Sequence, residues 1–148
     1  MRPFLEWWKR SRRKGEDGFT LIELLVVLVI LGLLVGIAAP AAVRYLSKAK
    51  SDVAQIQLKG FVVALDMFRL DQGRYPTTEE GLTTLVKRPS GLAKWNGPFL
   101  EGGVVPADPW DRAYVYEARS GASYTLATLG ADGQRGGEGE NADLTATK

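Results

Sequence analysis

From Phe19 to Val43 the chain runs for 25 residues with a single charge, Glu23, and the 20 residues from Leu24 to Val43 carry none. At about 1.5 Å per residue, a helix over that stretch spans the roughly 30 Å hydrocarbon core of a bilayer. The buried helix of a soluble core is shorter or keeps a polar face. Beyond Arg44 the pattern changes. Val53, Ile56, Phe61, Leu65 and Phe68 recur at spacings of three to five, with Lys48, Lys50, Asp52, Lys59, Asp66 and Arg69 between them. That is an amphipathic helix with one face offered to a folded domain. The two patterns predict one rod over 19–70, about 78 Å long. Pro40 falls inside it and is expected to loosen or kink it. Asp71-Gln72-Gly73 ends it, with Gly73 in a left-handed cap.

The remainder reads as short elements. Thr77 and Glu80 fit a capping box, and a short helix follows, burying Leu82, Leu85 and Val86. The segment 88–111 is punctuated by Pro89, Pro98, Pro106 and Pro109 and reads as loop. Ala113–Glu117 and Ser123–Leu129 alternate as strands around an Arg119-Ser120-Gly121-Ala122 turn, which predicts an antiparallel hairpin on the amphipathic helix. The tail from Gly130 is rich in glycine and acids. The fold class is α+β.

Charge gives this plan a direction. Up to Gly18 there are six Lys/Arg and three acids; the rest of the chain holds 13 and 14. A basic tip just ahead of an apolar run predicts a cytoplasmic N-terminus, with the later domain on the other side. A nucleic-acid partner would need a basic stripe on the folded domain, so none is expected. A removable secretory signal fits less well, because its apolar part is shorter and Pro40 spoils the small-residue site after Ile37. There is no cysteine and no histidine. Disulfides, thiolate metal sites and Ser-His-Asp or Cys-His catalysis are therefore excluded, and no catalytic residue is expected.

Gly18-Phe19-Thr20-Leu21-Ile22-Glu23 lies at the seam between tip and apolar run. Here the chain resembles the type IV pilin superfamily, whose signal is a glycine, a cut before phenylalanine, and a glutamate as fifth residue of the mature chain. The resemblance implies removal of residues 1–18 by a prepilin peptidase and methylation of the new Phe19 amine. It also implies that Glu23 pairs with the Phe19 amine of a neighbouring subunit, which offsets part of the cost of a carboxylate among lipid tails. Residues 19–43 would then be membrane anchor and filament core, and 44–148 a periplasmic domain with a pilin-like fold.

Tyr75-Pro76-Thr77-Thr78-Glu79-Glu80-Gly81-Leu82, Asp108-Pro109-Trp110 and Leu129-Gly130-Ala131-Asp132-Gly133 resemble the major pseudopilins of type II secretion systems. That resemblance implies a subunit of a short periplasmic filament, anchored in the bacterial inner membrane before assembly, which helps export folded proteins across the outer membrane. The implied partners are further copies of the chain, minor pseudopilins and an inner-membrane assembly platform. It also implies calcium in the C-terminal loop, held by Asp132 and Asp143, with Leu129, Glu138, Glu140 and Asn141 as further candidates. Calcium takes six to eight oxygens from a loop able to wrap it, and the glycines here permit wrapping. The chain departs from the family by having Ala142 before Asp143 and by ending in Thr145-Ala146-Thr147-Lys148. A type IV pilin or minor pseudopilin is the nearest alternative. A signal-anchored periplasmic enzyme or binding domain is the alternative from another class.

Overall fold

A computed structural model describes residues 18–148. The leader read from the sequence therefore lies outside the described residues, except for Gly18. Two compact units divide between Ala41 and Ala42.

The first unit holds the start of helix α1, which covers Leu21–Gln72, 52 residues. Pro40 lies inside α1. Every residue from 18 to 40 is exposed. The helix is long and apolar enough to cross a membrane, and none of its apolar window is buried.

In the second unit α1 lends one face to a core. That face is Ala54, Leu58, Phe61, Ala64, Leu65 and Phe68. Phe61, Leu65 and Phe68 follow the sequence reading, whereas Val53 and Ile56 do not: both are exposed, Ile56 by 68 %. Alternating steps of four and three from Ala54 reach Leu58, Phe61, Leu65 and Phe68, and Val53 and Ile56 belong to a neighbouring face. α1 ends as expected. Gly73 adopts φ 77° and its N–H donates to the Arg69 carbonyl at 2.7 Å.

The capping box is formed in both directions. Thr77 N–H donates to Glu80 at 2.8 Å and Glu80 N–H to the Thr77 hydroxyl at 3.2 Å. The Arg74 guanidinium grips the same carboxylate through two nitrogens at 2.6 and 2.7 Å. That contact holds Glu80 below the usual carboxylate range. The helix expected next is only a 3₁₀ turn, Leu82–Leu85. Gly81 at φ 60° breaks the path between box and turn. Leu82 and Leu85 are still buried, and Val86 is half-buried.

The segment 86–114 is loop but for a 3₁₀ turn at Glu101–Gly103. It is tied back by Phe99 N–H on the Leu85 carbonyl at 2.7 Å and by Trp95 Nε1–H on the Thr84 carbonyl at 3.0 Å.

Strands β1 (Val115–Ser120), β2 (Ser123–Thr128) and β3 (Leu144–Thr147) form an antiparallel sheet in the order β1-β2-β3. The hairpin matches the sequence reading, with β1 beginning two residues later and ending three residues later than expected. β3 was not foreseen. It pairs Leu126 with Ala146 and Thr128 with Leu144. The Lys148 ammonium meets Asp66 of α1 at 2.5 Å, and Tyr75 O–H donates to the same carboxylate at 2.7 Å. The two contacts hold Asp66 below the usual carboxylate range.

Tyr114, Tyr116, Tyr124 and Leu126 face α1 in one cluster with Leu58, Phe61, Leu65 and Phe68. Phe61 meets Tyr114 edge-on at 4.9 Å, and Tyr75 meets Tyr124 at 4.8 Å. Tyr116 O–H donates to the Pro76 carbonyl at 2.9 Å and Tyr114 O–H to the Gln57 side chain at 2.6 Å. Burial pushes the Tyr114 and Tyr124 hydroxyls up to about 12.

Candidate functional site

Two regions carry the residues singled out by the sequence. At the first, Gly18 is exposed and Phe19 is 74 % exposed. Thr20 starts α1. Its hydroxyl accepts from Glu23 N–H at 3.2 Å, and its carbonyl accepts from Leu24 N–H at 3.2 Å. Thr20 is thus the helix cap, a role the sequence reading did not assign. The signal was there, in a threonine followed three places later by a glutamate. Glu23 sits in the first turn, where the helix dipole favours an anion. It is exposed, and among the described residues no cation pairs with it. The large apolar side chains on either side of it are bare, from Leu21 at 82 % to Ile37 at 78 % exposure.

The second region is the loop 129–143. Its turn begins with Gly133 N–H on the Leu129 carbonyl at 3.2 Å. Asp132 is exposed and accepts from Gln134 N–H at 3.0 Å, a local turn contact. Asp143 is half-buried. One of its oxygens accepts from Gly136 N–H at 2.9 Å, and the other is buried with no donor. Glu140 turns away from the loop: its carboxylate takes the Ser47 hydroxyl of α1, while its carbonyl accepts from Ala131 N–H at 2.8 Å. Glu138 is exposed, and its carbonyl accepts from Asn141 N–H at 3.1 Å. Asn141 threads between two glycines. A Cβ on Gly130 or Gly137 would come within 2.7 or 2.5 Å of the Asn141 backbone. Both glycines also have positive φ, so no other residue fits either place.

Among the described residues no three acidic side chains converge. A cation here would draw on one or two carboxylates and on backbone carbonyls. The orphaned Asp143 oxygen fits that need, since a buried acceptor without a donor asks for a cation or a water.

Sequence reasoning missed Arg112, and it named Asp108 only within the Asp108-Pro109-Trp110 segment without assigning what it holds. The Arg112 guanidinium donates to the Gly130 and Ala131 carbonyls at 2.5 and 2.6 Å, and so clamps the start of the loop. Asp108 is buried. It accepts from Trp110 N–H at 3.0 Å, from Arg112 N–H at 2.8 Å and from the Thr128 hydroxyl. Asp108-Pro109-Trp110 is thus a turn whose acid sets Arg112 in place. Nothing local in the sequence marks a contact between Arg112 and residues 18 and 19 places away.

Residues 41–147 match the family model described as type II secretion system (T2SS), protein G. Residues 13–39 match the prokaryotic N-terminal methylation motif. The type II secretion system core protein G of Pseudomonas aeruginosa is 41 % identical over 138 residues, covering 90 % of this chain and 96 % of that one. The core protein G of Vibrio cholerae is 39 % identical over 138 residues, covering 90 % and 93 %. The crystal structure of the major pseudopilin from the type 2 secretion system of enterohaemorrhagic Escherichia coli superposes with a TM-score of 0.52 at 30 % identity, covering 67 % of this chain and 83 % of that one. The bare apolar helix start, the three-stranded sheet laid on its second half, and these matches lead to one conclusion: the chain belongs to the type II secretion system protein G family, the major pseudopilins.

Proposed function

We propose that this chain is the repeating subunit of a periplasmic pseudopilus that helps move folded proteins across the outer membrane. One observation carries the reading: a helix start of bare apolar side chains holds an exposed Glu23 for which the described residues offer no cation. Lipid covers the apolar side chains before assembly, and other copies cover them afterwards. The carboxylate finds its partner only in the second setting. Prepilin peptidase cuts between Gly18 and Phe19 and methylates Phe19, and the new amine is the cation that a neighbour's Glu23 accepts. The basic leader keeps the N-terminus cytoplasmic, and the domain beyond Val43 folds in the periplasm. Minor pseudopilins and an inner-membrane platform complete the assembly.

Intact mass of the protein purified from the membranes of its own cells tests this. The expected mass is that of Phe19–Lys148 plus one methyl group. The mass of the full chain from Met1, in cells with active prepilin peptidase, would overturn the reading.

We further propose that Asp143 and Asp132 hold calcium in the loop with help from the Leu129 carbonyl; Glu138 and Asn141 are lesser candidates, and Glu140 is engaged by Ser47. Support comes from the orphaned Asp143 oxygen. A bound calcium would supply positive charge to that oxygen and cross-link the loop to the strand that follows. Ligand binding stabilises by about 2.7 kcal/mol at a hundred times Kd, on the order of 10 °C in Tm for a domain this small. Calcium is therefore expected to raise the Tm of the parent chain and to leave Asp143→Asn unmoved. A parent chain whose Tm ignores calcium would remove the proposal.

A further inference from the structure

The chain has two asparagines, Asn96 and Asn141. Asn96 is followed by Gly97 and lies in the loop that passes the end of α1. An asparagine before glycine is prone to a reaction of its own, in which the next backbone nitrogen attacks the side-chain carboxamide. Glycine favours the attack because no Cβ crowds that nitrogen. Asn141 is followed by Ala142, which carries one.

At Gly97 a slower neighbour does not fit, because a Cβ there would run into the Trp95 ring. Asn96 is exposed to water, and it ties the loop to α1. Its backbone N–H donates to one oxygen of Asp71 at 3.1 Å, and its carboxamide NH₂ donates to the other at 2.5 Å. These two bonds, with a third from Gln72, hold Asp71 below the usual carboxylate range. The residues on either side are also fixed. Trp95 Nε1–H sits on the Thr84 carbonyl and Phe99 N–H on the Leu85 carbonyl. The Phe99 ring meets Phe68 of the core edge-on at 5.8 Å. Asn96 is thus a polar latch beside an aromatic plug.

We propose that Asn96-Gly97 is a site of spontaneous deamidation, that Asp71 holds the reaction in check, and that the products cannot close the latch again. In the first step the Gly97 nitrogen loses its proton to solvent base and bonds to the side-chain carbonyl carbon of Asn96. The bond from that carbon to the amide nitrogen breaks, and the nitrogen takes a proton from water and leaves as ammonia. Water then opens the resulting succinimide at either carbonyl, giving aspartate or isoaspartate. While the latch is closed, Asp71 holds the leaving nitrogen, so the side chain must let go before the ring can form. Either product sets a second carboxylate beside Asp71, where two like charges replace a hydrogen bond. Isoaspartate also adds a methylene to the main chain between Trp95 and Phe99, both of which are tied down.

The full-length chain in detergent is held in warm, mildly alkaline buffer. The peptides bearing Asn96 and Asn141 are followed by mass for conversion of amide to acid. Asn96 is expected to convert slowly in the folded parent. In Asp71→Ala it should convert at least about fivefold faster, the gain from losing an exposed charged contact, with Asn141 unchanged. Equal rates at Asn96 in the two chains, or a matching rise at Asn141 that marks general loosening, would overturn the guarding role of Asp71. No conversion at Asn96 in the parent unfolded in urea would overturn the site itself. Should Asp71→Ala not fold, Asn96→Asp makes the first product directly. It is expected to lower the Tm, and Asp71→Asn added to it should bring the Tm back. An Asn96→Asp chain as stable as the parent, or one that Asp71→Asn does not rescue, would overturn the latch.

Discussion

Glu23→Leu is expected to leave the chain processed and in the membrane and to stop filament growth. The substitution makes the apolar half of α1 more lipid-like, since a carboxylate in a spanning helix costs a few kcal/mol and leucine restores that. It leaves the helix start intact, because the bond there runs from the Glu23 backbone N–H to the Thr20 hydroxyl and uses no glutamate side-chain atom. It leaves the cut site intact as well, since Gly18 and Phe19 are untouched. Assembly is the step it removes. If Glu23 pairs as proposed with a neighbour's Phe19 amine, taking one partner from that buried ion pair strands the other charge, at a cost of about 3 kcal/mol or more. Spread over each contact in a polymer, that is roughly a hundredfold rise in the concentration needed to grow. The check is the amount of shearable filament beside the mass of the membrane-bound protein. A processed Glu23→Leu chain that assembles like the parent would show that Glu23 has no partner in the filament.

How much of this was legible in the sequence depended on whether the determining contact was local. The long helix was, because twenty uncharged residues and a glycine stop are both read along the chain. The hairpin was, because Tyr114, Tyr116, Tyr124 and Leu126 alternate inward and the turn lies between them. The capping box was, since Thr77 and Glu80 are three apart. The helix after it was over-read. Gly81, to which the sequence reading gave no part, takes φ 60°. β3 was missed because Leu144–Thr147 is short and follows a glycine-rich run, and its partners in β2 are 16 or more residues away.

The candidate loop shows the same division. Asp132 and Asp143 could be named from residue type, but their unequal settings could not. One makes a local turn contact at the surface, and the other leaves a buried oxygen without a donor. Glu140 looked like a loop ligand and is spent on Ser47, 93 residues away. Arg112 carried no signal, because its role comes from where the Asp108 turn sets it. The face of α1 failed for a different reason. Val53 and Ile56 are as apolar as the residues that are buried, and the helix has two apolar stripes. Composition cannot say which one the domain covers and which one it leaves bare.

Phe68→Ala and Ile56→Ala should separate those two stripes by several kcal/mol. Phe68 is fully buried, lies in the core cluster and meets Phe99 edge-on at 5.8 Å. Its loss removes the ring's burial and leaves a cavity, a cost of about 3–5 kcal/mol. Domains of this size are stable by roughly 5–15 kcal/mol, so the variant is left marginal or unfolded. Ile56 is 68 % exposed on the same helix. Its truncation should change unfolding free energy by about 0.5 kcal/mol or less, as for other surface changes that touch no buried group. Urea titration of the two full-length variants in detergent, followed by tyrosine and tryptophan fluorescence, makes the comparison. The parent and Ile56→Ala should share one midpoint, and Phe68→Ala should fall far below it. Equal losses would mean that Ile56 belongs to the core and that the bare stripe does not exist. If Ile56→Ala keeps its stability and still loses filament, what it contributes lies outside the fold of the single chain, in keeping with its exposure.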